Sequence, residues 1–227
     1  MLIFFSILLL ISWTIYVRLK LKAPTLKALI FKISTTFLII VIALFNIINS
    51  PDQLSLGVLI VIGLILGLIG DIALDLKLLY PKDDKFYTYF GFTSFIIGHL
   101  IYIGYFALNY HLHLLDYSFI FGFAGMSVFI LLVSEDSMKL NFGEFRLISA
   151  VYAFVLSLVT FLLLWTSYRY GNYGMLIFGI GLILFLISDL ILSFSYFGKD
   201  EKSWMIKGNY IFYYGAQYLI AASISYF

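Results

Sequence analysis

The chain has no cysteine, only three prolines and few charges. Without cysteine there is no disulfide framework and no thiolate metal site, and the compartment is left open. Charged residues make up 11% of the sequence, against about 25% in soluble domains. A formal net charge of +2 is too small to mark a nucleic-acid partner. Pro24, Pro51 and Pro81 all fall between apolar runs, where a missing N–H costs least.

What is present is hydrocarbon. Hydrophobic residues are 63% of the chain, against about 45–50% in soluble domains. Several runs reach the roughly 20 residues needed to cross a bilayer. The expected fold is all-α: a polytopic membrane protein with a single transmembrane domain over residues 1–227 and the lipid bilayer as its surroundings. Aromatics are 20% of the chain, more than interfacial belts require, so many should line the interior. The runs predict eight spans, at 2–17, 28–48, 54–75, 88–108, 114–133, 147–166, 173–194 and 209–227. The first has no basic segment before it, and Arg18, Lys20 and Lys22 follow it. It reads as a retained helix rather than a signal peptide.

Charge tests the count. The segments between spans 1–2, 3–4, 5–6 and 7–8, span ends included, carry 13 of the 14 Lys and Arg. Arg169 alone lies on the other face. Cytoplasmic loops are the basic ones. The expected localisation is therefore the cell membrane, with both termini outside.

Asp71 and Asp189 are the two acids placed clearly inside spans. Such groups cost about 2.5–3.5 kcal/mol on insertion scales and usually face a bundle interior or a wet cavity. The plainer alternative is a helix-packing hydrogen bond, or a salt bridge to Lys32. Residues 63–74, GLILGLIGDIAL, match residues 181–192, GLILFLISDLIL, at eight of twelve positions, and Asp71 aligns with Asp189. Gly91, Phe95 and Gly98 align with Gly208, Phe212 and Gly215. A parallel internal repeat of spans 3–4 and 7–8 is expected, with an axis along the membrane normal. Each aspartate would sit about one turn from the cytoplasmic end of its helix.

Other polar groups fall at similar depth. Asp75 is one turn below Asp71 on the same face, and is otherwise an interfacial acid. His99 and Tyr102 share a face of span 4, unless they are ordinary core residues. Tyr213, Tyr214 and Gln217 cluster on span 8, with packing the alternative for the tyrosines. Lys32 either reaches the site or snorkels to the interface. Together they imply a polar pocket open toward the inner leaflet.

Several motifs fail. His111, His113 and Asp116 offer too few ligands for a metal site, and neither metal nor cofactor is expected. Two intramembrane aspartates suggest a presenilin-type protease, but Leu68 stands where its GxGD motif needs glycine. No phosphate-binding glycine loop or serine-nucleophile elbow occurs.

The chain resembles the YhhN family of membrane proteins, which includes lysoplasmalogenases. The resemblance rests on Gly70-Asp71-x-x-Leu74, on Phe90-Gly91-Phe92-x-x-Phe95-x-x-Gly98-His99-x-x-Tyr102, and on Tyr152. It continues through Phe185-x-x-Ser188-Asp189 and Tyr213-Tyr214-x-x-Gln217. It covers spans 2 to 8. Where the family commonly has Lys-Pro, Lys32 is followed here by Ile33. The resemblance implies hydrolysis of the vinyl ether bond of a lysophospholipid, the lysoplasmalogen. The products are a fatty aldehyde and a glycerophospho-alcohol.

Two carboxyl groups suit that reaction, one to protonate the alkene and one to support the cation. The expected catalytic residues are Asp71 and Asp189. The expected substrate-binding residues are Lys32, Asp75, His99, Tyr102, Ser188, Tyr213, Tyr214 and Gln217. The alkenyl chain would run into an aromatic upper cavity. The alternative is a secondary transporter or a lipid-binding protein using the same groups. A transporter needs a polar path through the other half of the bundle.

Overall fold

The computed structural model describes residues 2–198 and 203–227. The expected cytoplasmic segment near residue 200 lies outside them. Eight long helices make up the fold: α1 (Leu2–Lys20), α2 (Leu26–Asn49), α3 (Leu54–Leu79), α4 (Asp84–Asn109), α5 (Leu114–Val133), α6 (Arg146–Tyr170), α7 (Tyr173–Phe197) and α8 (Ser203–Ser223). Local chemistry sets their ends. The Thr25 hydroxyl accepts from the Ala28 N–H at 3.1 Å, and Asn172 Oδ1 accepts from the Met175 N–H at 2.9 Å. Both satisfy donors left open at a helix start. Pro51 and Pro81 open short 3₁₀ turns, where a proline N–H is not needed.

The fold is a multi-pass membrane bundle. Among the described residues, seven helices, α1 to α7, are long and apolar enough to cross a membrane. Eight such spans were expected. The eighth helix exists, but Asn209, its tyrosines and Gln217 lower its apolar content. It is held by packing on α7 rather than by hydrocarbon alone.

The helices also run further than their apolar stretches. α3 continues to Leu79 and α7 to Phe197. Asp71 and Asp189 therefore lie about two turns from those ends, not one. Lipid-independent contacts carry the extra turns: Asp75 is buried and ion-paired, and the Lys77 ammonium sits 3.9 Å over the Tyr196 ring.

Six helices pack in a ring, in the order α2, α3, α4, α6, α7, α8 and back to α2. α1 lies outside against α2, and α5 lies outside against α6. Close approach is built from glycine. A Cβ on Gly70 would come within 3.1 Å of the Gly91 carbonyl oxygen, and one on Gly91 within 3.3 Å of the Gly70 oxygen. On the other pair, a Cβ on Gly181 would meet the Ala216 oxygen at 3.1 Å. Small residues at such crossings let helix backbones touch where no hydrophobic force separates helix from lipid.

Candidate functional site

α2, α3 and α8 surround Asp71. Lys32 Nζ lies 3.1 Å from Asp71 Oδ1 and 3.6 Å from Asp75 Oδ1. Asp75 is also paired with Lys20, at 2.8 Å. Lys32 does not snorkel to an interface: it is buried between two carboxylates. Asp75 is not exposed either, but buried between two lysines. The salt bridge to Lys32, the plainer reading of Asp71, is present. It does not use up the carboxylate, because Asp71 also forms part of a cavity wall.

The second oxygen of Asp71 accepts from the Tyr213 hydroxyl at 2.6 Å. Gln217 Nε2 donates to that same hydroxyl at 3.1 Å. Gln217 therefore orients the phenol so that its proton points at Asp71. The line Lys20, Asp75, Lys32, Asp71, Tyr213, Gln217 crosses four helices without leaving a charge unpaired. A buried ion pair is costly to desolvate and is kept only when its remaining hydrogen bonds are filled.

Asp189 has different company. Its carboxylate accepts a short hydrogen bond from the Tyr152 hydroxyl on α6. Among the described residues, no Lys or Arg is ion-paired to it. Ser188, its neighbour, accepts from Asn209 Nδ2 at both hydroxyl and carbonyl, each at 2.9 Å. This locks α7 to α8 beside the acid.

Both aspartates line one cavity of about 440 Å³, together with Lys32, Tyr152, Ser188, Asn209 and Tyr213. It lies toward the C-terminal ends of α3, α5 and α7 and the N-terminal ends of α2, α4, α6 and α8. This is the end that carries the basic connections.

Five expected site residues are not in the cavity wall: Asp75, His99, Tyr102, Tyr214 and Gln217. Asp75 and Gln217 act one residue removed, through Lys32 and Tyr213. The His99 Nδ1–H donates to the Phe95 carbonyl at 2.7 Å, and its ring packs on Phe185. Tyr102 donates to the Ile60 carbonyl at 3.2 Å. Tyr214 is buried between the rings of Tyr16 and Tyr213. The expected aromatic upper cavity is thus filled by packed rings. The open volume extends instead toward α5, α6 and α7.

Three contributors escaped the sequence reading of the site. Tyr152 stood in a motif but had no assigned partner. Asn209 lay at the margin of a span, and Lys20 read as an ordinary flanking charge. His111-Leu112-His113 also has a structural explanation at the opposite end. Asp116 accepts from the His113 N–H and from Trp165 Nε1, both at 2.9 Å, and so caps α5 and fixes α6.

Residues 27–224 match the YhhN family. The chain belongs to the YhhN family. No curated protein and no solved structure matches it. The YhhN match begins just after α1 has ended and spans every helix that supplies a residue to the cavity wall.

Proposed function

We propose that this YhhN protein is a lysoplasmalogenase that hydrolyses the vinyl ether bond with Asp189 and Asp71. The observation carrying this reading is that two carboxyl groups in unlike surroundings share one cavity wall. Asp71 is held as a carboxylate by the Lys32 ammonium. Asp189, bonded by a phenol and by no cation among the described residues, is the proton donor. Pairs of acids set apart by environment are the general pattern for acid–base work on one substrate.

The reaction then runs as follows. Asp189 gives its proton to the outer alkene carbon, leaving an oxocarbenium ion at the inner carbon and ether oxygen. Asp71 faces that cation and takes a proton from water as the water oxygen bonds to the inner carbon. The resulting hemiacetal collapses: Asp71 returns its proton to the departing glycerol oxygen, and Asp189 takes the hydroxyl proton. Aldehyde and glycerophospho-alcohol leave with both acids restored. Glycosidases pair two carboxyl groups against a related cation.

The packing also supports reading the two halves as parallel repeats. α1–α4 pack in sequence, α5–α8 pack in sequence, and the halves meet at α4 on α6 and α8 on α2. In that frame α2 and α6 are counterparts. α2 supplies Lys32 to the first aspartate, and α6 supplies Tyr152 to the second. A cation in one half and a phenol in the other gives the two acids different tasks. The basic end, where the cavity lies, is assigned to the cytoplasm on charge. Beyond the cavity, Leu64, Phe106, Phe178 and Leu182 are buried, and the polar side chains Asn46, Thr160, Thr166 and Ser223 there donate to backbone carbonyls, which supports an enzyme over a transporter.

The test is direct. Purified protein in phospholipid vesicles, given lysoplasmalogen, should release fatty aldehyde stoichiometrically with glycerophospho-alcohol. Folded protein that releases none from choline or ethanolamine substrates would overturn the proposal.

A further inference from the structure

The cavity that holds the two aspartates is not closed on all sides. Its floor, toward the basic end, is covered. The segment after α5 crosses beneath it and fastens to α7: the Asn141 N–H donates to the Phe197 carbonyl at 2.9 Å, and the Phe142 ring packs on Phe197 at 4.8 Å. Met138 and Phe142 of this segment are part of the cavity wall. Above that floor the two helices are not packed together. α5 rests on α6 and makes no comparable contact with α7. Residues on both sides of this gap line the cavity: Ser127 and Ile130 on α5, Leu190 and Ser193 on α7. Ile130 is 57% exposed and Leu190 is 45% exposed, so the wall passes continuously into the outer, lipid-facing surface.

The mouth makes no polar demand. The Ser127 hydroxyl donates to the Phe123 carbonyl at 2.9 Å, and the Ser193 hydroxyl to the Leu190 carbonyl at 2.7 Å. Both are spent on their own helices, and what faces the gap is methylene and methyl surface. The polarity therefore changes along the cavity, from Asp71, Asp189 and Lys32 at the inner end to hydrocarbon at the mouth.

The other half of the molecule has an ion pair across the same place. Extending the Gly63–Leu74 and Gly181–Leu192 match by one residue sets Asp75 against Ser193. Asp75 binds Lys20 of α1 at 2.8 Å. Tyr16 of α1 is fully buried against Tyr210, with ring centroids 4.8 Å apart. α1 is thus tied in by an ion pair and a buried ring, whereas the matching Ser193 on α7 bonds to its own helix.

We infer that the gap between α5 and α7 is a lateral mouth through which the hydrocarbon chain of a single-chain lipid lies, its polar linkage at Asp71 and Asp189. This rests on the proposed function for the choice of lipid. The cavity of about 440 Å³ sits low in the range of about 300–1,000 Å³ typical of ligand pockets, and its side between α5 and α7 is apolar. That volume suits one chain; the second chain of a diacyl lipid would be left outside it.

The experiment uses a probe that cannot be hydrolysed by vinyl ether chemistry: a saturated 1-O-alkyl lysophosphatidylcholine with a diazirine near the chain end, added to the full chain in vesicles. After irradiation, labelled peptides should come from α5 and α7. Excess unlabelled alkyl lysophosphatidylcholine should remove that label, and dialkyl phosphatidylcholine should not. Ser193→Trp and, separately, Ser127→Trp should each cut α5–α7 labelling at least about tenfold. Label spread over all outward faces, label concentrated near His99 and Phe178, or equal competition by the dialkyl lipid would each overturn the inference. So would full labelling in a folded tryptophan variant; the wild-type map decides the matter if neither variant folds. α5–α7 labelling without any aldehyde release from lysoplasmalogen sinks the proposed reaction and leaves the mouth standing. Aldehyde release with label elsewhere does the reverse.

Discussion

Lys32 lies 3.1 Å from Asp71 and 3.6 Å from Asp75, so one ammonium serves two carboxylates, and removing any one group leaves a charge out of balance. Asp71→Asn and Asp189→Asn should each lower aldehyde release by about 10²–10⁴-fold, the usual range for a general acid or base, with the protein still eluting as a folded species. Near-wild-type turnover in either variant defeats the two-carboxylate mechanism. Asp75→Asn separates chemistry from support. It leaves both cavity aspartates in place but strips Lys20 and Lys32 of a shared partner. Breaking a buried pair from one side costs about 3–5 kcal/mol, and the partners that remain to Lys32 reduce this. The expected result is a lower thermal midpoint in detergent with substantial activity at low temperature. An unchanged midpoint would show that the ion pairs do not hold α1 and α2 to α3. Tyr152→Phe keeps the ring packing on Phe92 but removes the only side-chain hydrogen bond described at Asp189. Its turnover should fall while its thermal midpoint stays close to wild type; unaltered turnover would remove Tyr152 from the site.

At the scale of elements, Asp71 is positioned by the seam between α3 and α4. Gly70 precedes the acid, and a Cβ there would meet the Phe95 ring at 2.6 Å and the Gly91 carbonyl oxygen at 3.1 Å. Gly70→Ala pushes on a ring that also lines the cavity. Overpacking of this kind typically costs about 1–3 kcal/mol. The variant should melt earlier and lose activity together. Gly122→Ala on α5 is the comparison. A Cβ there meets nothing within 4 Å, and alanine is the better helix former by about 1 kcal/mol, so stability should hold or rise. Equal melting of the two variants would mean that the α3–α4 seam tolerates a methyl group and does not set the position of Asp71. The same logic separates α8 from the other helices. Its polar residues reduce its fitness for hydrocarbon but are the ones that bond to α3 and α7: Tyr213 to Asp71, and Asn209 to Ser188.

At the scale of the whole molecule, the basic connections share one end of the bundle with the cavity. Single cysteines can be read cleanly in this cysteine-free chain. Lys82→Cys and Met138→Cys should be labelled from the cytoplasmic side, and Asn172→Cys from the outside only; cytoplasmic labelling at Asn172 sinks the proposed orientation. The helix count and the helix positions were legible from the sequence, and so was the rarity of acids within the apolar helices, because long uncharged runs broken by few charges are local signals that a bilayer makes strict. The family was legible too, through short motifs in order. The helix ends were less so, since α3 and α7 continue past their apolar runs on ion pairs and ring contacts that composition does not record. The partners of each acid were decided only in three dimensions. Lys32 could snorkel or pair, and its distance to α3 is a property of helix packing. Tyr152 and Asp189 lie 37 residues apart in sequence, and Tyr213 and Asp71 lie 142 apart. The open side of the cavity was likewise beyond the sequence. The sequence shows that α5 is mostly apolar, but only the packing of α5 on α6 and away from α7 turns that apolar surface into a mouth.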